Sequence, residues 1–267
     1  MRALARMGPI GALLLAIWSG GAAAVEVERL YEAKARVSGQ IEATRAQGFI
    51  SSLEAVLIKV SGDPRVVTQP RVRRALRNAG QLVQDFSYRD LLAHLPVHDE
   101  QGTRDRPYEL TVRFLPEKID GLLRDVGRSP WGASRPRVLV VLQVDTGAMR
   151  YVLAREGERG RDQRESLTLA AERFGLPIVL PDQATAAGLA QTAAPASLDQ
   201  VEKAQEADVI LRGRLVWSDK ALGWTAAWQL DAKPKTHRWR ISGVNFDAAF
   251  RNAMGGALQI LSGHGAP

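Results

Sequence analysis

Five consecutive residues, Ser61-Gly62-Asp63-Pro64-Arg65, bring a hydroxyl, a carboxylate and a guanidinium together where a helix-forming run stops. Acyl transfer from Ser61 would need a base to take its proton, and no histidine lies near it in the sequence. A glycine-flanked nucleophile elbow is also absent from the chain beyond residue 24. The simpler chemistry is structural. Gly62 takes the positive φ that ends a helix, Pro64 cannot continue the ladder, and Asp63 bonds the backbone of the turn. Arg65 then pairs with Asp63 or with helix carbonyls. A corner is the expectation, with an envelope hydrolase built on Ser61, Asp63 and Arg65 as the catalytic alternative.

Other chemistry-bearing residues are sparse. His94 and His98 have the i, i+4 spacing of a helical metal pair, but Pro96 stands between them and no thiol or glutamate pattern completes a site. His237 and His264 are isolated. Gly157 and Gly160 sit among charges without the strand-loop-helix spacing of a phosphate loop, and no paired-carboxylate or nucleotide signature occurs. No catalytic residue, metal set or cofactor is therefore expected, and the chain does not read as an enzyme.

Two arginine groups offer binding chemistry instead. Arg71, Arg73, Arg74 and Arg77 crowd one short helix, where Arg73 and Arg77 repel at i, i+4 spacing. Such a face is either solvated or meets an anionic surface. Arg212 and Arg214 alternate with Leu211, Gly213, Leu215 and Trp217, so they leave the opposite side of a strand. Trp224, Ala226, Trp228 and Leu230 share a face of the next strand. Those indoles are expected under the last helix, each needing an N–H partner, with a sugar or peptide platform as the sharper alternative.

The whole chain sets the context for these groups. It has 267 residues, 45% hydrophobic and 24% charged, the composition of a globular protein. Arg2 and Arg6, an apolar run from Ile10 to Trp18 and an Ala22-Ala23-Ala24 ending make a secretory signal peptide over residues 1–24, cleaved after Ala24. The run is well short of the roughly 20 residues that span a bilayer. The chain has no cysteine, which excludes lipid acylation after cleavage and leaves stability to core burial. An exported, soluble periplasmic protein without a transmembrane anchor follows. Its formal charge is +7, and the signal peptide takes away two arginines and no acid, leaving +5. Export sets nucleic acid aside as a partner. An envelope protein, or an anionic component such as phospholipid, lipopolysaccharide or peptidoglycan, is the electrostatic match, unless the excess serves solubility alone.

Periodicity supplies the elements. Val25–Val37 reads as a strand. In the helix that follows, Ala46, Phe49, Ile50, Leu53, Val56, Leu57 and Val60 share one face, and Arg45, Gln47, Ser52, Glu54 and Lys59 take the other. Next come a basic helix over 70–78, a strand over 82–88, a polar loop over 93–106, a strand over 108–115 and a helix opened by Pro116. This is a small antiparallel α+β unit, residues 25–127, with helices on one face of its sheet. Residues 128–136, rich in Gly and Pro, are the expected linker. Residues 137–267 then read β-α-β-α-β-β-β-α, a mixed-sheet α/β sandwich. Its central strand is the apolar run 137–145 and its last helix runs over 246–261, while 182–196 is a weak helix or a connection.

With the elements placed, the chain resembles a family of exported proteobacterial proteins known as domain of unknown function 2066. The likeness rests on Leu30-Tyr31-Glu32-Ala33, on Val56 through Val66 with its Lys-Val-Ser-Gly-Asp-Pro-Arg core, and on Phe86-Ser87-Tyr88. Trp131-Gly132 with Arg135-Pro136, Ala207-Asp208, and Gly213-Arg214-Leu215 complete it. The resemblance implies no activity, cofactor or catalytic residue. A looser similarity of the second unit, to α/β modules of envelope machinery such as the Tol-Pal translocation protein and activators of penicillin-binding proteins, implies binding by analogy.

Overall fold

A computed structural model describes residues 25–95, 98–99, 102–103, 106–191, 195–232 and 235–267. The expected signal peptide, Pro96 between the histidines, and Lys233-Pro234 of an expected turn lie outside them. In chain order the elements are β1 (Val25–Glu26), β2 (Glu32–Ser38), α1 (Glu42–Ser61), α2 (Pro70–Arg77), β3 (Val83–Asp90), β4 (His98–Asp99), β5 (Gly102–Thr103), β6 (Pro107–Phe114) and α3 (Pro116–Arg124). There follow β7 (Ser134–Arg135), β8 (Val138–Asp145), β9 (Arg150–Val152), α4 (Arg161–Phe174), β10 (Ile178–Val179), α5 (Gln183–Gln191), α6 (Pro195–Ala204), β11 (Val209–Ser218), β12 (Gly223–Ala232), β13 (Lys235–Val244) and α7 (Phe246–Leu261).

The fold is α+β followed by α/β: a three-stranded antiparallel sheet, β2-β6-β3, then a larger mixed sheet, β10-β8-β11-β12-β13 with β9 beside β8. In the first sheet Leu110, Val112 and Phe114 of β6 point inward and are buried under α1, as period-two alternation requires. Leu53, Val56, Leu57 and Val60 of α1 meet them with no exposed surface. Ala46, expected on that face, is exposed. Gly48 is buried instead, because a Cβ there would press on Leu110 and Val37, so the helix backbone runs close to the sheet. The expected strand 25–37 is corrected as well. A turn over 28–31, with Arg29 at φ 56°, splits it into β1 and β2, and β1 pairs with β7 rather than with the first sheet.

In the second sheet β8 lies parallel to both β10 and β11. Its Val138, Val140, Leu142 and Val144 face the core under α4 and α7, while Leu139 packs with Leu198, Ala207 and Ile210 on the other side. Cover on both faces is why this strand is apolar throughout. The region 182–196 contributes α5 and the start of α6, so the second unit carries one more helix than expected, and β9 is a further addition. Strands β11 and β12 put Leu211, Leu215, Ala226, Trp228 and Leu230 into the core that includes α7, but Trp217, expected there, is 43% exposed and packs edge-on against Trp224, ring centroids 5.6 Å apart. Trp228 rests against Phe250, ring centroids 6.4 Å apart, and the Trp239 indole N–H donates to the Asn252 carbonyl at 3.3 Å. The Trp228 N–H is buried with no hydrogen-bond partner, contrary to the expectation that each indole finds one. Among the described residues, no helix is long and apolar enough to cross a membrane.

Candidate functional site

The Ser61–Arg65 stretch forms the expected corner, and its contacts reach far along the chain. Gly62 ends α1 at φ 73° and donates its N–H to the Ile58 carbonyl. Ser61 is 1% exposed; its hydroxyl donates to the Ile58 and Asp63 carbonyls and accepts from the Asp63 N–H at 3.1 Å. Asp63 is 0% exposed and accepts from the Arg65 backbone N–H at 3.0 Å, from Arg65 Nε at 2.8 Å and from an Arg128 guanidinium nitrogen at 3.0 Å. Burial alone would raise the Asp63 carboxyl pKa, but the hydrogen bonds and charge of Arg65 outweigh it and hold the pKa below the usual range. Residues after α7 close the corner: Ser262 Oγ donates to the Gly62 carbonyl at 2.8 Å, and Arg65 donates to the His264 carbonyl at 2.8 Å. His264, isolated in the sequence, thus joins the corner, and its charge also favours the Asp63 carboxylate.

A second group sits one turn back along α1. The Arg135 side chain is fully buried and donates to the carbonyls of Lys59 (2.6 Å), Phe174 (3.0 Å), Gly175 (2.8 Å), Gly132 and Trp131. The C-terminal carbonyls of α1 and α4, which lack helical partners, thus share one cation. Its guanidinium lies 4.2 Å from the Trp131 ring centroid, and the Trp131 backbone N–H donates to the Val60 carbonyl at 2.6 Å. Residues 128–136, expected as a linker, are therefore tied to both cores. Lys59, expected on the polar face of α1, is instead 7% exposed, its ammonium bonded to the carbonyls of Glu32 (2.6 Å) and Arg29 (3.3 Å). Burial pushes its pKa down to about 8, with the charge of Arg135 adding to the effect; burial likewise lowers Arg135 to about 10. The two motifs that are most specific in the sequence, Lys59–Arg65 and Trp131–Pro136, thus converge in space.

The arginine groups lie elsewhere. On α2, Val72 and Leu76 are buried while Arg71, Arg73, Arg74 and Arg77 are exposed; Arg71 chelates Asp125 of the segment after α3 at 2.6 and 3.0 Å. On β11, Arg212 and Arg214 do project away from the core. Arg212 is paired with Asp231, which also accepts from Thr236 Oγ1 at 2.8 Å. Cross-strand register adds two residues that had not been singled out: Arg212, Gln229 and Arg238 form one row, and Arg214, Ala227 and Arg240 the next. Arg238 donates to Gln229 at 2.9 Å. The acids at the borders of these rows, Asp231 and Asp145, bond Arg212 and Arg150 respectively, and the charge of Arg214 also favours the Asp145 carboxylate. Arg214 and Arg240, about 10 Å apart across two strand spacings, flank a methyl group. The alternation of Arg238 and Arg240 within an expected strand was the available signal; what sequence could not supply was the register that aligns them with Arg212 and Arg214.

Of the histidine pair, His94 is exposed, and the His98 side chain lies outside the described residues. Among the described residues, no group of three or more metal-ligating side chains converges. Residues 24–132 match the model of a family described as a domain of unknown function (DUF8605). That corrects the number attached to the resemblance: the match is to this uncharacterised family, not to domain 2066, and it includes the Lys59–Arg65 motif but stops at Gly132, before Arg135-Pro136. No curated protein matches the chain.

Proposed function

We propose that this chain is an exported, soluble accessory protein of the bacterial envelope that acts by binding, without catalysis, and that its ligand is an anionic cell-wall or lipid component or an envelope protein. The observation that carries the reading is the row Arg214–Ala227–Arg240, two exposed arginines held by a rigid sheet with no carboxylate between them. Guanidinium groups fixed in this way favour phosphates and carboxylates. The expected signal peptide supplies the compartment. Ser61, the nucleophile that the hydrolase alternative needs, has a buried hydroxyl bonded to the backbone, which favours the binding reading.

Two measurements test it. Mature protein recovered from the periplasm is expected to begin at Val25; an uncleaved cytoplasmic chain would remove the premise. Co-sedimentation with peptidoglycan sacculi and with phosphatidylglycerol vesicles, at low salt, is expected for one or both, and to weaken at least tenfold in the Arg214→Glu, Arg240→Glu double variant. Binding that ignores the double variant, or no binding to either material, overturns the assignment of this face.

A further inference from the structure

The first half of the molecule carries a groove of about 410 Å³ between α2 and α3. Its floor is apolar, formed by Ala75, Leu82 and Leu122, the last two being the outer edge of the first core. Three cations, Arg71, Arg74 and Lys118, and one carboxylate, Asp125, form the rim. Arg71 is held by Asp125, and Lys118 donates to the Gln81 carbonyl at 2.6 Å. Arg74 has no ion-pair partner among the described residues. Beside it on α2, Arg73 and Arg77 extend the positive edge.

Gly121, in the interior of α3, also lines this groove. A glycine there weakens the helix relative to alanine. Nothing inside the protein requires it: a Cβ at 121 would meet no atom within 4 Å, whereas a Cβ at Gly48 of α1 would clash with the sheet. The missing side chain leaves the groove open at that point.

We infer that the α2–α3 groove is a docking site for an acidic amphipathic peptide segment of a partner protein. An aliphatic side chain of that segment lies over Gly121 on the Ala75/Leu82/Leu122 floor, and its carboxylates meet Arg74 and Lys118. The groove is shallow and open along its length. In so open a groove a fatty acyl chain would leave much of its length in water, whereas one leucine-sized side chain needs only the small apolar floor. Charge on the rim selects an acidic partner. The site deepens the proposed binding role by naming a partner class, and it lies on a different face from the Arg214–Arg240 row, so each can fail alone.

The test uses the full mature chain and a fluorescein-labelled peptide with Glu and Leu at helical spacing, read by anisotropy. Gly121→Leu places a side chain in the groove at a position where a Cβ meets no atom within 4 Å, and Arg74→Glu reverses the rim. Saturable binding of the Glu/Leu peptide is expected, weakened about tenfold by either substitution, with the melting temperature of Gly121→Leu unchanged or raised. A peptide of Lys and Leu is expected not to bind. The inference is overturned if the acidic peptide does not bind. It is equally overturned if Gly121→Leu binds as tightly as the wild type while Arg74→Glu does not, which is diffuse charge attraction. Binding of phosphatidylglycerol vesicles abolished by Gly121→Leu, with no peptide binding, would assign the groove to lipid and overturn it too.

Discussion

Each sheet of this protein leaves an outer face uncovered across three strands, and the two faces treat arginine in opposite ways. On the first, a cross-strand row reads Arg36, Glu109, Arg89, and the central Glu109 is bridged by Lys34 at 3.3 Å and by Arg89 at 3.1 Å. Arg113 and Asp85 pair beside it at 3.0 Å. On the second, the equivalent row reads Arg214, Ala227, Arg240. A carboxylate at the centre of the first row lets the face satisfy itself, whereas a methyl at the centre of the second leaves its two arginines without a shared acid, Arg214 feeling only the charge of Asp145 at the edge of the row. Strand arginines alone are therefore poor indicators of a binding surface. The residue between them decides.

The largest expected effect concerns the arginine that belongs to neither face and holds both halves together. Arg135→Met leaves the carbonyls of Lys59, Phe174 and Gly175 buried without their donor, so a loss of about 4 kcal/mol is expected in urea unfolding. A loss below about 1 kcal/mol would mean that the junction does not fix the two faces. Lys59, the other buried cation there, makes a prediction in pH. Its folded pKa of about 8 lies below the ordinary lysine value of 10.5, so between these values the unfolded chain binds more protons and stability rises with pH. Tyr31, raised to about 12, acts in the opposite direction above pH 10, which leaves pH 8 to 10 as the window. There the wild type is expected to gain about 2 kcal/mol relative to Lys59→Met. Parallel pH profiles for the two proteins would refute the depressed lysine.

Two exchanges act on the comparison itself. Ala227→Glu gives the second row the charge pattern of the first, and it is expected to weaken binding to the anionic material about tenfold while leaving the fold unchanged; intact binding would show that the row is not the contact. Glu109→Ala is the converse change, expected to cost about 1 kcal/mol in stability. Burial alone would raise the Glu109 pKa, but the Arg89 hydrogen bond and the charge of Lys34 outweigh it and lower the pKa. The stabilisation from Glu109 is therefore present above the usual glutamate range and fades as pH falls through the lowered value. Glu109→Gln should flatten that acid limb, and an unchanged limb would remove Glu109 as its source.

Much of the fold was legible because it follows from periodicity. The apolar stripe of α1, the alternation in β6, the unbroken apolar run of β8 and the stripe of α7 each name their element and its buried side. The corner was legible too, since Gly62, Asp63 and Pro64 each act on their own backbone. Long-range pairing was not. Lys59 was misplaced because side-chain polarity counts as exposure in a helical pattern, whereas this ammonium bends back onto the carbonyls of a neighbouring turn. The segment 128–136 has the composition of a linker, and its buried role depends on one guanidinium meeting two helix ends that lie far apart in the chain. Arg238 and Arg240 became candidates only through strand register.

The Arg135 joint has a mechanical consequence. Its cation is bonded only to carbonyls, stays charged below about pH 10 and is shielded from solvent ions. Acidification leaves this cation charged and salt does not reach it, so its hold on the two helix ends outlasts the exposed ion pairs of either outer face.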